Sequence, residues 1–188
     1  MATRELYLCV DAEVDGHVPG PYSMVSIGAC AAAIRGEDAS VEILDPDDQM
    51  FYAVLKPISD TYLEKALRVT GLDCAQLEQD GREPGETMAQ FATWVDDLAS
   101  AHDAQPVLAA FPLGLVWQFT QHYLHQYAGH SPFGQSAHYD IKTAYATLAP
   151  NATSSAAACQ AHCSAHGAAR AGMRLRTRRG SPTCSQAC

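Results

Sequence analysis

The residues whose type and spacing could do chemistry are Asp11 and Glu13, set one apart in the segment Leu6-Tyr-Leu-Cys-Val-Asp-Ala-Glu-Val14. In an extended strand, side chains i and i+2 leave on the same face, so both carboxylates project together at the strand's C-terminal end. Two such groups on a buried strand repel each other and lose hydration, a cost that a divalent cation removes. Two acids at a solvated strand end would carry no chemistry, so the surrounding pattern decides. His122, His125, His130 and His138 form a second candidate group, with His122 and His125 at a helical i, i+3 spacing that could support a metal. Asp140 is the sole nearby carboxylate, and half-buried or surface histidines are the expected reading. Trp94 and Trp117 sit on apolar helix faces and read as core.

The elements that must position the two acids follow from hydrophobic periodicity. Leu6–Val14 reads as a central strand covered on both faces, ending in the acids. Turn signals at Asp15-Gly16 and Pro19-Gly20-Pro21 precede a second strand-like stretch, Tyr22–Ile34. A third, Val41–Leu55, is interrupted by a polar loop at Asp45–Gln49, which makes the opening a three-stranded meander. Thr61-Tyr-Leu-Glu64 has the spacing of a capping box, and Gly71 is a helix stop. Met88, Phe91, Ala92, Val95, Leu98 and Ala99 recur at helical spacing and predict an amphipathic helix from Gly85 to about Ala101. A short buried strand at 106–111 follows, then a helix over 113–128 with Val116, Phe119, Tyr123 and Tyr127 along one side. The order βββ-α-β-α describes an α/β fold, a mixed sheet with helices packed on it.

Composition changes abruptly at Pro150. All 21 acidic residues and 7 of the 12 Lys and Arg precede residue 151, whereas the last 38 residues contain 5 Arg, no acid and a single branched aliphatic, Leu175. Such a tail cannot bury enough apolar surface to offset chain entropy. The expected organisation is an acidic globular domain, residues 1–149, and a basic low-complexity, disordered tail, residues 150–188. The acidic balance argues against a partner held by general charge attraction, although metal-binding carboxylates permit a nuclease. No stretch approaches a membrane span, and the N-terminus lacks a signal-peptide pattern, which makes the cytoplasm the expected location.

Cys9, Cys30 and Cys74 read as small hydrophobes. Cys159, Cys163, Cys184 and Cys188 form two C-x3-C pairs beside His162 and His166, a zinc-capable donor set, but the intervening segment has neither strand pattern nor core, so chance spacing is the expectation. The tail's Arg170, Arg174, Arg176, Arg178 and Arg179 could contact phosphates or simply be solvated. Its Ala-, Ser-, Arg- and Cys-rich mixture is that of a GC-rich gene read in a shifted frame, and a frameshift or equivalent truncation is the hypothesis for it.

The segment from Leu8 to Ala29 around Asp11 and Glu13 resembles the first motif of the DEDD superfamily of 3′-5′ exonucleases, the ribonuclease T and proofreading-subunit type. Further matches follow in order: Val69-Thr-Gly-Leu72, Phe91-Ala-Thr-Trp94-Val95, Phe111-Pro-Leu-Gly-Leu-Val-Trp117-Gln-Phe119 and Asp140-Ile-Lys-Thr-Ala-Tyr145. The resemblance covers about residues 5–149 and implies a ribonuclease H-like, five-stranded mixed sheet with flanking helices. It also implies two divalent ions about 3.5–4 Å apart, Mg²⁺ or Mn²⁺, held by four carboxylates for hydrolysis of a phosphodiester at a single-stranded DNA or RNA 3′ end. Asp11 would bridge both ions and Glu13 would hold one.

The sequence departs from that pattern twice. Val116 stands where the second motif places an Asp, and no acid other than Asp140 follows Asp103, so the third motif's Asp and its His or Tyr are missing; Ser136 and Gln135 occupy the positions four and five before Asp140. Asp140 is expected to be structural. The reading is therefore a 3′-5′ exonuclease family protein with impaired hydrolysis and a weak or partial metal site at Asp11 and Glu13, with an inactive nucleic-acid-binding or interaction module as the alternative. A homodimer is possible by the same resemblance.

Overall fold

The computed structural model describes residues 3–148; the tail and its cysteines lie outside them. Strand β1 (Glu5–Val14) pairs antiparallel with β2 (Met24–Arg35), and β2 pairs on its far side with both β3 (Val41–Ile43) and β4 (Met50–Val54). β3 takes up residues 33–35 of β2 and β4 takes up residues 26–30, so the two short strands lie in tandem along one flank. The predicted third strand is thus present as two pieces split at its polar loop. β5 (Gln105–Ala110) lies parallel to β1, and β6 (His138–Asp140) parallel to β5. Six strands in five lanes make the mixed sheet.

Helices α1 (Glu64–Thr70), α2 (Cys74–Asp80) and α3 (Pro84–His102) separate β4 from β5; α4 (Leu113–Tyr123) runs into a π-helical turn at Leu124–Ala128, and α5 (Ile141–Leu148) ends the described chain. The helix predicted over 113–128 therefore changes its winding at residue 124. The capping box at Thr61 is not formed. The N-cap is instead Leu63, whose side chain has no acceptor to offer; its backbone is extended and its N–H donates to the Asp15 carbonyl at 2.8 Å. Gly71 does stop α1, at φ +66° with its N–H on Leu67 O. α2, which no apolar period announced, starts at Asp73, whose carboxylate accepts from the N–H groups of Ala75 and Gln76.

β1 departs from the expected two-sided burial. Leu6, Leu8, Val10, Ala12 and Val14 are buried, whereas Glu5, Tyr7, Cys9, Asp11 and Glu13 on the other face are only partly covered. The packed face meets α3 and α4: Met88, Phe91, Ala92, Val95 and Leu98 from α3 join Val116, Phe119 and Tyr123 in one core with the even-numbered residues of β1. Each fully buried large side chain there contributes about 1.5–3 kcal/mol of transfer free energy. Tyr123 also anchors β2, its hydroxyl accepting the Met24 N–H at 2.7 Å, and burial first of all pushes its own ionisation far above the usual value.

Candidate active site

Asp11 and Glu13 stand on the partly covered face, opposite Gly28 and Ser26 of β2. Alternation brings the two acids together as expected. Burial raises the Asp11 pKa, opposed by the Ala12 N–H, which donates to Oδ1 at 3.0 Å. The carboxylate thus carries a desolvation cost that one backbone N–H offsets in part, the electrostatic setting in which a cation would be stabilising.

The loop that follows is built to hold this end of β1 in place. Asp15 is 2% exposed and closes residues 15–23 as a two-point clasp: its N–H donates to Ser23 O at 3.0 Å and its Oδ1 accepts the Ser23 N–H at 2.6 Å. Burial raises the Asp15 pKa and the bonds to Ser23 pull it back. Gly16 is required here by close approach, since a Cβ would come within 2.1 Å of the Tyr22 ring. From the sequence Asp15 read as a turn residue; its spacing to Ser23 gives no signal of the clasp. Asp15 also borders a cavity of about 120 Å³ with Ser59, Asp60, Tyr62, Leu67 and Glu78.

Val116 is placed by register. Cys9 pairs with Ala109, so Asp11 lies level with Phe111 at the end of β5, and α4 begins at Leu113 after a cis Phe111–Pro112 bond. Val116 is in the first turns of α4, next to that edge of the sheet, but its side chain is 1% exposed and part of the core. The valine supplies hydrocarbon to that core.

Asp140 does not replace it. Ala110 pairs with Asp140, two strands from β1 or roughly 10 Å across the sheet. Tyr139, paired with Ala109, shares the face of Cys9 and Asp11 and meets Tyr7 edge to face at 5.7 Å, so Asp140 belongs to the opposite face. Its carboxylate caps α5, accepting the Thr143 N–H at 2.6 Å, and bonds from Thr143 hold its pKa low. Gln135 and Ser136 are exposed. The histidines disperse: His138 lies against Trp117 at 4.7 Å, His130 meets Asp96 at 3.3 Å, His122 is half-buried beside Tyr123 and His125 is exposed. Trp94 packs on Phe91 and Phe51, a core role. Among the described residues, no three His, Cys, Asp or Glu side chains come together as a metal site. The donor set present does not fit a two-ion centre, because two such ions share four carboxylates and the end of β1 offers two.

A sheet with β1 central, β2 antiparallel and β5 parallel to it, flanked by helices and ending its first strand in Asp-x-Glu, defines the ribonuclease H-like nuclease architecture. The chain is 38% identical over 142 residues to the 3′-5′ DNA exonuclease Cap18 of Escherichia coli, an overlap covering 76% of this chain and 68% of that protein. It belongs to the 3′-5′ exonuclease family. Among solved structures, exonuclease I of Escherichia coli in complex with a dT13 oligonucleotide superposes with a TM-score of 0.53 at 15% identity, covering 80% of this chain and 31% of that one. An exonuclease I complex named ExoI/SSB-Ct gives 0.54 at 15% identity, over 80% and 32%. The chain thus spans about a third of exonuclease I. No family model matches it. Among the described residues, no helix is long and apolar enough to cross a membrane.

Proposed function

We propose that residues 1–149 form an exonuclease-family domain that engages single-stranded 3′ ends of nucleic acid with its hydrolytic step impaired, and that residues 150–188 form a separate basic tail. The observation that carries this reading is Val116, buried in the core near the start of α4 where the family pattern has an acid. Asp11 and Glu13 then constitute the whole of a weak site for one hydrated Mg²⁺ or Mn²⁺, an ion that commonly retains several waters and uses one or two carboxylates. When bound, such an ion would neutralise the acidic edge and attract a terminal phosphate. The chain's own contribution is positional: the Asp15–Ser23 clasp and the Tyr123–Met24 bond hold the end of β1 against β2. DNA is the substrate class favoured by the similarity to a DNA exonuclease.

The test is a pair of measurements on the full chain with Mn²⁺ and a 5′-labelled single-stranded oligodeoxynucleotide. Fluorescence anisotropy is expected to show binding that Asp11→Ala weakens, while denaturing gels show no progressive shortening from the 3′ end. The identity to a protein named as a 3′-5′ DNA exonuclease favours a second reading, retained hydrolysis. Processive digestion abolished by Asp11→Ala would establish that second reading and overturn the first.

A further inference from the structure

Cys9 of β1 stands directly opposite Cys30 of β2, and the two thiols are hydrogen-bonded to each other. The next pair on the same face is Asp11 opposite Gly28. Directly opposed residues in an antiparallel pair have Cα atoms roughly 4.5–5.5 Å apart, inside the window of about 4.4–6.8 Å that a disulfide spans. Their Cβ atoms need to close by only about 1 Å to reach bonding separation. Cys9 is on the partly covered face of the sheet, whereas Cys30 is fully buried behind it. A reagent therefore meets Cys9 first and finds its resolving partner already in contact.

We propose that Cys9 and Cys30 form a dithiol modification site that a small-molecule disulfide oxidises to a cross-strand disulfide, clamping β1 to β2 one residue pair from Asp11. The Cys9 thiolate attacks one sulfur of the oxidant, breaking its S–S bond, releasing one thiolate and leaving a mixed disulfide. The Cys30 thiolate then attacks Cys9 Sγ, forming the protein disulfide and expelling the second thiolate. The two thiol protons end on the released thiols, and two electrons pass from protein to oxidant. The site does not depend on the nuclease reading.

The sequence supplies a clean assay, because no Lys or Arg lies between Arg4 and Arg35 and one tryptic peptide, Glu5–Arg35, carries both cysteines. The full chain, reduced and then exposed in native buffer to oxidised glutathione across pH 7–9, is alkylated and digested. The expected peptide is unlabelled and lighter by two hydrogens, and takes two labels after reduction. Closing the intervening loop is expected to raise the melting temperature by roughly 5–10 °C. Cys30→Ala is expected to leave glutathione attached to Cys9. Should that buried substitution prevent folding, Cys9→Ala serves instead, with Cys30 remaining unmodified in the folded protein. A wild-type peptide carrying two alkyl labels, a persistent glutathione adduct, or Cys9 linked to some other cysteine would each overturn the proposal.

Discussion

The end of β1 and the start of α4 lie side by side at one edge of the sheet and treat charge in opposite ways. At the end of β1 two acids share one face, and burial holds Asp11 partly out of water with a single backbone N–H as compensation. At the start of α4, Val116 turns inward and joins Phe119 and Tyr123 in the core. The first region holds a carboxylate at a desolvation cost that one N–H offsets only in part, while the second is seated by apolar packing alone. The difference shows that α4 seats itself on hydrocarbon, through Val116, Phe119 and Tyr123, without drawing on the acids at the end of β1.

The comparison is most directly broken by Val116→Asp. A carboxylate introduced into that core is expected to cost on the order of 3 kcal/mol without metal, read as a lower midpoint in urea, with Mn²⁺ restoring part of the loss. If the variant is as stable as the parent in chelator, Val116 is not a packed residue and the contrast between the two regions fails. Tyr123→Phe comes next. It leaves the Met24 N–H without its acceptor, and about 1–2 kcal/mol of destabilisation is expected from chemical denaturation. Asp140→Ala removes the cap of α5 and should lower local stability by about 1 kcal/mol. Hydrogen exchange should show faster exchange in residues 141–148 and no change in Mn²⁺ affinity. A weakened metal site in that variant would place Asp140 in the centre after all.

The smallest effect, and the one of opposite sign, is Asp11→Asn. A carboxyl whose folded pKa is raised destabilises the native state when ionised; the penalty is absent below its ordinary value of 3.8, grows as pH rises towards the raised value, and is full above it. The variant is expected to melt higher than wild type at pH 7, with the gain fading as pH is lowered into the acid range. A constant difference at all pH values would show that burial of the charge is not its cause.

Much of the fold was legible because its cause is local. The period of Met88, Phe91, Val95 and Leu98 announces α3, and Gly71 ends α1 where a left-handed residue is needed. Elements whose cause is distant were not legible. Thr61 has the spacing of a cap, yet the Leu63 N–H goes to Asp15, far back in the chain. β6 has three residues and exists because β5 is there to pair with it. At the site, Asp11 and Glu13 were visible through strand alternation, but the Asp15 clasp was not, because it depends on the return of the chain at Ser23.

What the sequence by itself determined is the set of short-range facts: two acids on one face of a strand, no acid beyond Asp140, and the strands and helices with a clear apolar period. These follow from side-chain type and periods of 2 and 3.6 residues, which need no partner. Only the tertiary structure decided which face of β1 is packed, that Val116 turns into the core, that Asp140 belongs to the opposite face, and that Cys9 meets Cys30. Those facts depend on strand register and on where long connections return, and a shift of one residue in any of them would exchange the faces without altering a single local preference.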